Sequence, residues 1–227
     1  MTREAGGKLV IVGDSLFAQI ALEYFTHDSQ YEVVAFAVER AYRERDGLAG
    51  LPVVDFESLP ELYEPADHSV YVALVYTELN RLRARLAATA KALGYVLASY
   101  VSSSAFVWRN VELGEHCFIF ENNVVQPFVR LGDNVVLWSG NHIGHHSWIR
   151  DNCFIASHVV VSGSVDIGEN SFLGVNATLV NDITLGRDTW IGPHVTLTRD
   201  VAPGSVYRPA RSELRDVSSY ELLGVEE

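Results

Sequence analysis

The chain has 227 residues, of which 17 are Lys or Arg and 29 are Asp or Glu, so its formal net charge is −12. This acidic balance argues against a nucleic-acid partner, and the short, mixed apolar run near the N-terminus predicts neither a signal peptide nor a membrane span. The two cysteines, Cys117 and Cys153, are expected to be unpaired core residues, which favours a cytoplasmic protein.

The first hundred residues alternate between apolar strand patterns and amphipathic helix patterns. In chain order we predict a strand over 8–12, a helix over 16–25, strands over 31–38 and 51–54, a short helix over 57–62, a strand over 69–75, a helix over 79–93 and a strand over 96–101. This alternation predicts a small doubly wound, Rossmann-like parallel sheet.

Such sheets bind ligands at the carboxyl ends of their strands. The first strand leads into Gly13, Asp14 and Ser15, a turn without the glycine spacing of a dinucleotide site. Backbone N–H groups at this helix start can still hold a phosphate, although Asp14 and Ser15 can equally be plain helix caps. Glu39 and Arg40 follow the second strand, where a ribose or base is commonly bound; the alternative is an ordinary exposed loop.

The second half of the chain carries a six-residue repeat. An aliphatic residue stands at every sixth position, sixteen times in succession: Val107, Leu113, Ile119, Val125, Leu131, Leu137, Ile143, Ile149, Ile155, Val161, Ile167, Leu173, Leu179, Leu185, Ile191 and Leu197. Glycine often follows the aliphatic residue directly. We expect these glycines at sharp turns, because glycine tolerates a positive φ.

A period of six matches neither a helix nor a simple alternating strand. It fits a short strand followed by a corner, and three such steps make a triangular coil with the aliphatic side chains inside. An ordinary sandwich of short strands would not keep one register over this length. The repeat therefore predicts a parallel β-helix.

Every eighteenth residue of such a helix lies on the same outer face. One face is mostly polar: Glu112, Arg130, Trp148, Asp166 and Thr184. A second is apolar and largely aromatic: Phe118, Val136, Phe154, Phe172 and Trp190. The third is mainly small and β-branched: Val124, His142, Val160, Thr178 and Thr196. Because a soluble monomer rarely exposes so large an apolar surface, we predict that at least one of the two apolar faces packs on another subunit, in a cyclic trimer.

Three of the eight histidines stand within five residues, at His142, His145 and His146. Gly163 lies eighteen residues after His145 and is therefore one coil above it. A histidine is a suitable general base, and the N–H of Gly163 is a candidate donor to an oxyanion. The alternative for Gly163 is a simple turn.

Metal binding is the competing chemistry at this corner. His142, His145, His146 and His158 supply enough imidazoles for a zinc site. Neighbouring histidines on one turn rarely converge on one ion, so such a site would need ligands from several subunits. We predict no metal.

The repeat, the α/β N-terminus and the segment 141–147, Asn-His-Ile-Gly-His-His-Ser, resemble the bacterial sugar acyltransferases related to sialic-acid O-acetyltransferases. The resemblance implies a left-handed β-helix, a homotrimer and three parts: a nucleotide-sugar-binding domain over 1–101, an acyltransferase domain over 102–206 and a tail or short helix over 207–227.

The same resemblance implies the roles of the site residues. His145 would be the catalytic base, and acetyl-CoA would lie between neighbouring prisms. We include His146 as a second catalytic candidate because it is the next residue in the chain. The coenzyme contacts would be Gly163 at the thioester, His142 and Phe154. The sugar nucleotide would lie near the N-terminal turn and the loop after the second strand: Gly13, Asp14, Ser15, Glu39 and Arg40.

Two features depart from the family pattern. Relatives often carry an acidic residue directly after the catalytic histidine, where this chain has His146, and the turn around Pro209 and Ala210 is shortened. The predicted function is an acetyl-CoA-dependent acetyltransferase acting on a nucleotide-linked amino sugar in bacterial surface-polysaccharide biosynthesis. The alternatives are a sugar O-acyltransferase with another acyl donor, a metal-dependent hydratase of the carbonic-anhydrase type and a non-catalytic binding protein.

Overall fold

The computed structural model of the protein describes residues 7–226. Its N-terminal part contains nine helices and strands: β1 (Lys8–Val12), α1 (Leu16–His27), β2 (Glu32–Val38), β3 (Gly47–Leu48), β4 (Leu51–Asp55), α2 (Leu59–Leu62), β5 (His68–Val72), α3 (Arg81–Ala92) and β6 (Val96–Leu97). The six strands form one sheet in the order β3-β4-β2-β1-β5-β6, and this sheet is parallel except for the β3–β4 hairpin. The predicted α/β sheet is confirmed.

The last three predicted elements of the N-terminal part differ from the structure in their bounds or are divided. The strand predicted over 69–75 ends at Val72, and α3 begins only at Arg81, because Glu78, Leu79 and Asn80 adopt positive φ angles that interrupt a helix. The strand predicted over 96–101 is two strands, of which the second, Tyr100–Val101, pairs with the next part of the chain. The domain bounds at residues 101 and 206 stay a prediction.

The remainder is a left-handed β-helix with three parallel sheets. Its aromatic face has the strands Tyr100–Val101, Phe118–Ile119, Val136–Leu137, Phe154–Ile155, Phe172–Leu173, Trp190–Ile191 and Val206–Tyr207. Its small-residue face has Phe106–Val107, Val124–Val125, His142–Ile143, Val160–Val161, Thr178–Leu179 and Thr196–Leu197. Its polar face has Glu112–Leu113, Arg130–Leu131, Trp148–Ile149, Asp166–Ile167 and Thr184–Leu185.

The eighteen-residue register holds in the strand pairings from Tyr100 to Leu197 and shortens to sixteen residues at the last pairing, that of Trp190 with Val206. Phe118 pairs with Val136 and Val136 with Phe154, and the second residue of each two-residue strand points inward into a continuous aliphatic core. Cys117 and Cys153 are buried in this core and unpaired, as predicted. The parallel β-helix is confirmed.

The expected role of the repeat glycines is wrong. Gly132, Gly144 and Gly168 do not have positive φ angles. A Cβ on Gly144 would instead lie 2.5 Å from the carbonyl carbon of Ser162, so glycine is needed where one coil passes close over the next.

The positive φ belongs to the residue three positions after each aliphatic residue from Leu113 to Ile191. Most of these residues are Asn, Asp or His, the side chains that best tolerate this backbone. The series is His116, Asn122, Phe128, Asn134, Gly140, His146, Asn152, His158, Ser164, Asn170, Asn176, Asp182, Asp188 and His194.

The aromatic face is covered by other elements of the same chain, so it does not need another subunit to bury its side chains. The expectation that this face is exposed in a single chain is therefore wrong. Helix α1 covers its first coils, where Phe17 lies 5.6 Å from Phe118 between ring centroids. Tyr76, after β5, lies 4.4 Å from Phe172 in the same measure. The small-residue face stays open in the single chain, with Phe106 and Val160 exposed, and its packing on another subunit stays a prediction.

The last residues of the described chain leave the β-helix. They include one short helix, α4 (Ser219–Leu223), inside the segment predicted as a short helix or loose tail. Within residues 7–226, every helix is too short or too polar to span a bilayer.

Candidate active site

His145 and His146 lie at the corner between the small-residue face and the polar face, and both are exposed. The backbone of His145 is held from the coils on either side. Its N–H donates to Oε1 of Gln126 at 2.9 Å, and its carbonyl accepts from the N–H of Ser164 at 2.8 Å. The repeat therefore presents a solvent-accessible imidazole on a fixed backbone.

The two imidazoles meet edge to edge. The Nδ1 atoms of His145 and His146 are 3.1 Å apart, and the rings are inclined by 84°. A hydrogen bond between two imidazole nitrogens requires a proton on one and a lone pair on the other. When His145 carries this proton at Nδ1, its Nε2 has a free lone pair and is able to act as a base.

Gly163 lies directly against His145, as the eighteen-residue register predicted. A Cβ at this position would come within 2.7 Å of Nε2 and 2.5 Å of Cε1 of the imidazole. Gly163 has no positive φ, so the alternative of a glycine required by a turn is wrong. Its missing side chain makes room for the His145 ring.

The N–H of Gly163 is not free for an oxyanion. It donates to Oδ1 of Asn181, 3.1 Å away, on the following coil. The predicted oxyanion role therefore requires that Asn181 give up this bond. Sequence reasoning missed Asn181, although it stands eighteen residues after Gly163.

The other two predicted coenzyme residues lie elsewhere. His142 is half-buried on the small-residue face, between Val124 and Val160 in the ladder. Phe154 is buried on the aromatic face and stacks on Phe172 with ring centroids 6.0 Å apart. Its ring faces the N-terminal part of its own chain, on a different face from His145. The assignment of Phe154 to the coenzyme stays a prediction.

Phe154 forms a wall of an apolar groove. The groove has a volume of about 390 Å³ and lies between the segment after β5 and the upper coils of the aromatic face. Its principal walls are Val75, Tyr76, Phe154, Phe172 and Trp190. The sequence offered one signal for it, the aromatic ladder, which was one of the two apolar faces that we considered for a subunit interface.

The turn after β1 is open, as a phosphate site requires. Ser15 begins α1 but makes no side-chain capping bond, so the alternative of a plain capping residue is wrong for Ser15. Gly13 has a φ of +115°, and a Cβ there would lie 3.0 Å from the carbonyl oxygen of Ala73. Asp14 pairs with Arg45, with Oδ2 and Nε 3.1 Å apart. The first turn of α1 keeps unpaired N–H groups of the kind that bind anions.

Glu39 and Arg40 lie at the same edge, each already engaged by an opposite charge. Both carboxylate oxygens of Glu39 accept from Arg85, at 2.8 and 2.9 Å, and these bonds hold the pKa of Glu39 below its usual value. Arg40 donates from Nε to Asp55 at 2.8 Å, and this bond raises the pKa of Arg40. The loop is therefore more ordered than its polar sequence predicts.

A buried arginine that sequence reasoning missed joins the two parts of the chain. Arg83 of α3 is 0% exposed, and it donates to the carbonyls of Leu74 and Val75 at 3.3 and 3.4 Å. It also donates to the carbonyl of Asn134 at 3.1 Å. Burial lowers the pKa of Arg83 to about 10, so it stays protonated at neutral pH. It fixes the segment that carries the groove onto the β-helix.

His116 completes this junction. Its Nε2 accepts from the N–H of Val72 at 2.8 Å, and its Nδ1 faces Oδ1 of Asn134 at 2.7 Å. Because the amide oxygen only accepts, Nδ1 carries the proton and the ring is neutral. Burial lowers the pKa of His116 to about 3.

Within residues 7–226, no three or more His, Cys, Asp or Glu side chains converge as a metal site would require. The zinc alternative therefore has no complete ligand set within one copy of the described chain.

The sequence family described as bacterial transferase hexapeptide (six repeats) matches residues 129–163. No curated protein matches the chain in sequence. Among solved structures, the chain is similar to a histidine-to-asparagine mutant of perosamine N-acetyltransferase from Caulobacter crescentus, in complex with CoA and GDP-perosamine. The identity is 27%, the TM-score is 0.79, and the likeness covers 88% of this chain and 92% of that one.

Two further structures share the whole fold. The acetyltransferase domain of PglB from Neisseria gonorrhoeae is 22% identical with a TM-score of 0.80, over 91% of this chain and 99% of that one. WeeI from Acinetobacter baumannii is 21% identical with a TM-score of 0.66, over 89% and 98%. The repeat match and the likeness to perosamine N-acetyltransferase across both parts of the chain support the predicted resemblance to bacterial sugar acyltransferases with hexapeptide repeats, and they support an acyltransferase activity.

Proposed function

We propose that the protein transfers an acetyl group from acetyl-CoA to the amine of a nucleotide-linked sugar, with His145 as the general base. The observation that carries the proposal is the exposed His145 ring, seated against Gly163 and hydrogen-bonded through Nδ1 to His146. The similarity to an N-acetyltransferase crystallised with CoA and GDP-perosamine supports this donor and this class of acceptor.

In the proposed reaction the sugar nitrogen attacks the thioester carbon while Nε2 of His145 takes a proton from the amine. The tetrahedral intermediate then expels the coenzyme thiolate, which takes the proton from His145. One N–C bond forms and one C–S bond breaks. Stabilisation of the oxyanion by the N–H of Gly163 requires that its bond to Asn181 open when the thioester binds.

The sugar nucleotide is proposed to bind at the carboxyl edge of the N-terminal sheet. Its diphosphate would lie at the turn of Gly13, Asp14 and Ser15 and meet the N–H groups of the first turn of α1, since the N–H of Gly13 itself donates to the carbonyl of Ala37 at 2.8 Å. Glu39 and Arg40 would border the ribose or base, with Glu39 held by Arg85. The apolar groove behind Tyr76 would receive the sugar.

The separation of these parts supports a site formed between two copies. The groove lies on the aromatic face, whereas His145 lies at the corner between the other two faces. A sugar in the groove of one copy would therefore meet His145 of another, with acetyl-CoA along the open small-residue face beside His142 and Gly163. We expect a homotrimer, which sedimentation of the purified protein tests. The cytoplasmic location and the role in surface polysaccharide rest on the same proposal.

The direct test is acetyl transfer to GDP- and UDP-linked amino sugars by the wild-type protein and by His145→Ala. We expect turnover to fall by about 10²-fold or more, the usual contribution of a general base. The melting temperature should stay within a few degrees, because the ring is exposed. Unchanged turnover in the folded variant would remove His145 from the mechanism.

A further inference from the structure

His146 has an unusual neighbour. Its ring stacks on Phe128 of the preceding coil, with centroids 4.7 Å apart and planes inclined by 27°. Phe128 itself has a φ of +65° and is 56% exposed. A bulky aromatic residue in this backbone region is strained.

The repeat makes this strain conspicuous. At the same position of the six-residue repeat, all the other residues with a positive φ are Asn, Asp, His, Ser or Gly. These residues adopt a positive φ at lower cost. Phe128 gains little hydrophobic burial in the described chain, since most of its ring is exposed. Local rules that are broken without a packing gain point to a functional constraint.

We propose that His146 is a second base, which takes the Nδ1 proton of His145 during the reaction, and that Phe128 stabilises the resulting imidazolium. The inference rests on the proposed function. A carboxylate at position 146 would stabilise a charged His145 with a countercharge, whereas a neutral imidazole offers only a hydrogen bond. By accepting the proton across the 3.1 Å contact, His146 would take the positive charge itself.

Both histidines return to their starting protonation states at the end of the reaction. As Nε2 of His145 gains the proton of the attacking amine, its Nδ1 proton moves to Nδ1 of His146, and the positive charge moves to the outer ring. There it lies over the face of Phe128, within the distance at which an aromatic ring attracts a cation. When the thiolate leaves and takes the proton from Nε2, the Nδ1 proton returns to His145.

The experiment measures single-turnover acetyl transfer in wild type, His146→Asn, His146→Glu and Phe128→Asn. Asn suits the positive φ at both positions. For His146→Asn we expect kcat to fall about 10- to 100-fold, toward the lower part of the range for acid–base groups, with little change in KM. His146→Glu should recover most of the rate, because a carboxylate accepts the same hydrogen bond. Phe128→Asn should lose about two- to fivefold, the size of an exposed cation–π contact.

The proton inventory in mixtures of H₂O and D₂O separates a relay from a purely structural role. Wild type should give a curved plot, with two protons moving in the transition state, and His146→Asn a straight one. The matched control is His194→Asn, the same exchange at the same turn position of another coil, with a φ of +58°. It should leave rate and inventory unchanged.

A folded His146→Asn variant with the wild-type rate, or with a curved inventory, would overturn the relay. Loss of activity in His194→Asn would also overturn it, because the effect would then belong to the turn. These outcomes differ from failure of the proposed function, in which His145→Ala itself would keep its turnover. If His146→Asn does not fold, the rate of His146→Glu and the proton inventory of that variant still test the relay.

Discussion

His116 and His146 occupy the same position of the six-residue repeat and share the same backbone, with φ angles of +58° and +60°. Their surroundings differ completely. His116 is buried at the junction of the two parts of the chain, with both ring nitrogens engaged by groups that hold it neutral. His146 is exposed, and its Nδ1 meets a second imidazole.

The repeat therefore determines only where a histidine is tolerated. Whether the ring becomes a structural acceptor or a candidate base depends on what the rest of the chain packs against it. At His116 the N-terminal sheet closes over the turn, and at His146 nothing in the described chain does so. Each of the following changes tests one side of this contrast.

The largest expected loss of stability follows from removing the buried arginine side chain at the junction of the two parts of the chain. Arg83→Met deprives the carbonyls of Leu74, Val75 and Asn134 of a donor, so we expect the free energy of unfolding to fall by about 2–4 kcal/mol. Urea denaturation measures this loss.

Arg81→Met is the matched control, since Arg81 lies on the same helix and makes a half-exposed pair with Asp188. It should cost less than about 1 kcal/mol. Equal losses in the two variants would show that the junction does not depend on the buried position of Arg83.

The next largest effect is a dependence of protein stability on pH, which arises from His116. Its pKa is about 3 in the folded protein and about 6.5 when unfolded, so the unfolded chain binds one proton more between these values. Stability contributed by the neutral ring is present above about pH 6.5 and is lost as the pH falls. Between pH 7 and 5 the loss should be about 2 kcal/mol.

His116→Asn should lack this slope, while losing about 1–3 kcal/mol at pH 7 because the N–H of Val72 has no acceptor. The measurement is the difference in unfolding free energy between variant and wild type at several pH values. A difference that does not vary between pH 7 and 5 would contradict the buried neutral imidazole.

The β-helix was predictable because its signal is periodic. Sixteen aliphatic residues share one spacing, and the eighteen-residue register that follows from it also predicted that Gly163 lies against His145. The alternation of strands and helices before residue 100 was predictable for a similar reason: apolar strands and amphipathic helices each carry a local period.

Long-range packing between the two parts was not predictable. Phe17 and Tyr76 cover the aromatic face, yet neither shares a period with that face, so the sequence favoured another subunit there. Arg83 stands in an amphipathic helix, where a charged residue ordinarily faces water. Only the carbonyls that the β-helix and the segment after β5 bring to it explain its burial.

The catalytic corner was predictable in part. The position of His145 follows from the repeat and the resemblance, but the bond from Gly163 to Asn181 depends on a side-chain orientation that no spacing reports. Phe154 was assigned to the coenzyme with the resemblance, although the eighteen-residue register places it on the aromatic face.

The smallest expected change in stability comes from a substitution at the exposed corner of His145 and His146. The same substitution should clearly lower the rate of acetyl transfer. In Gly163→Ala the three atoms nearest to the new Cβ would all belong to the His145 imidazole, at 2.5–3.1 Å. Because an exposed ring is able to rotate away, we expect little loss of unfolding free energy. The displaced base should lower kcat about tenfold or more, which corresponds to about 1.4 kcal/mol or more of activation free energy.

Gly144→Ala gives the opposite result if the packing argument is right. Its Cβ would meet backbone atoms of Ser162 and Gly163 at 2.5–2.7 Å, which cannot move without separating two coils, so stability should fall by about 1–3 kcal/mol. Thermal melts and single-turnover rates of both variants distinguish the two glycines. A Gly163→Ala protein that melts well below wild type would mean that the open corner supports the fold as strongly as the closed junction does.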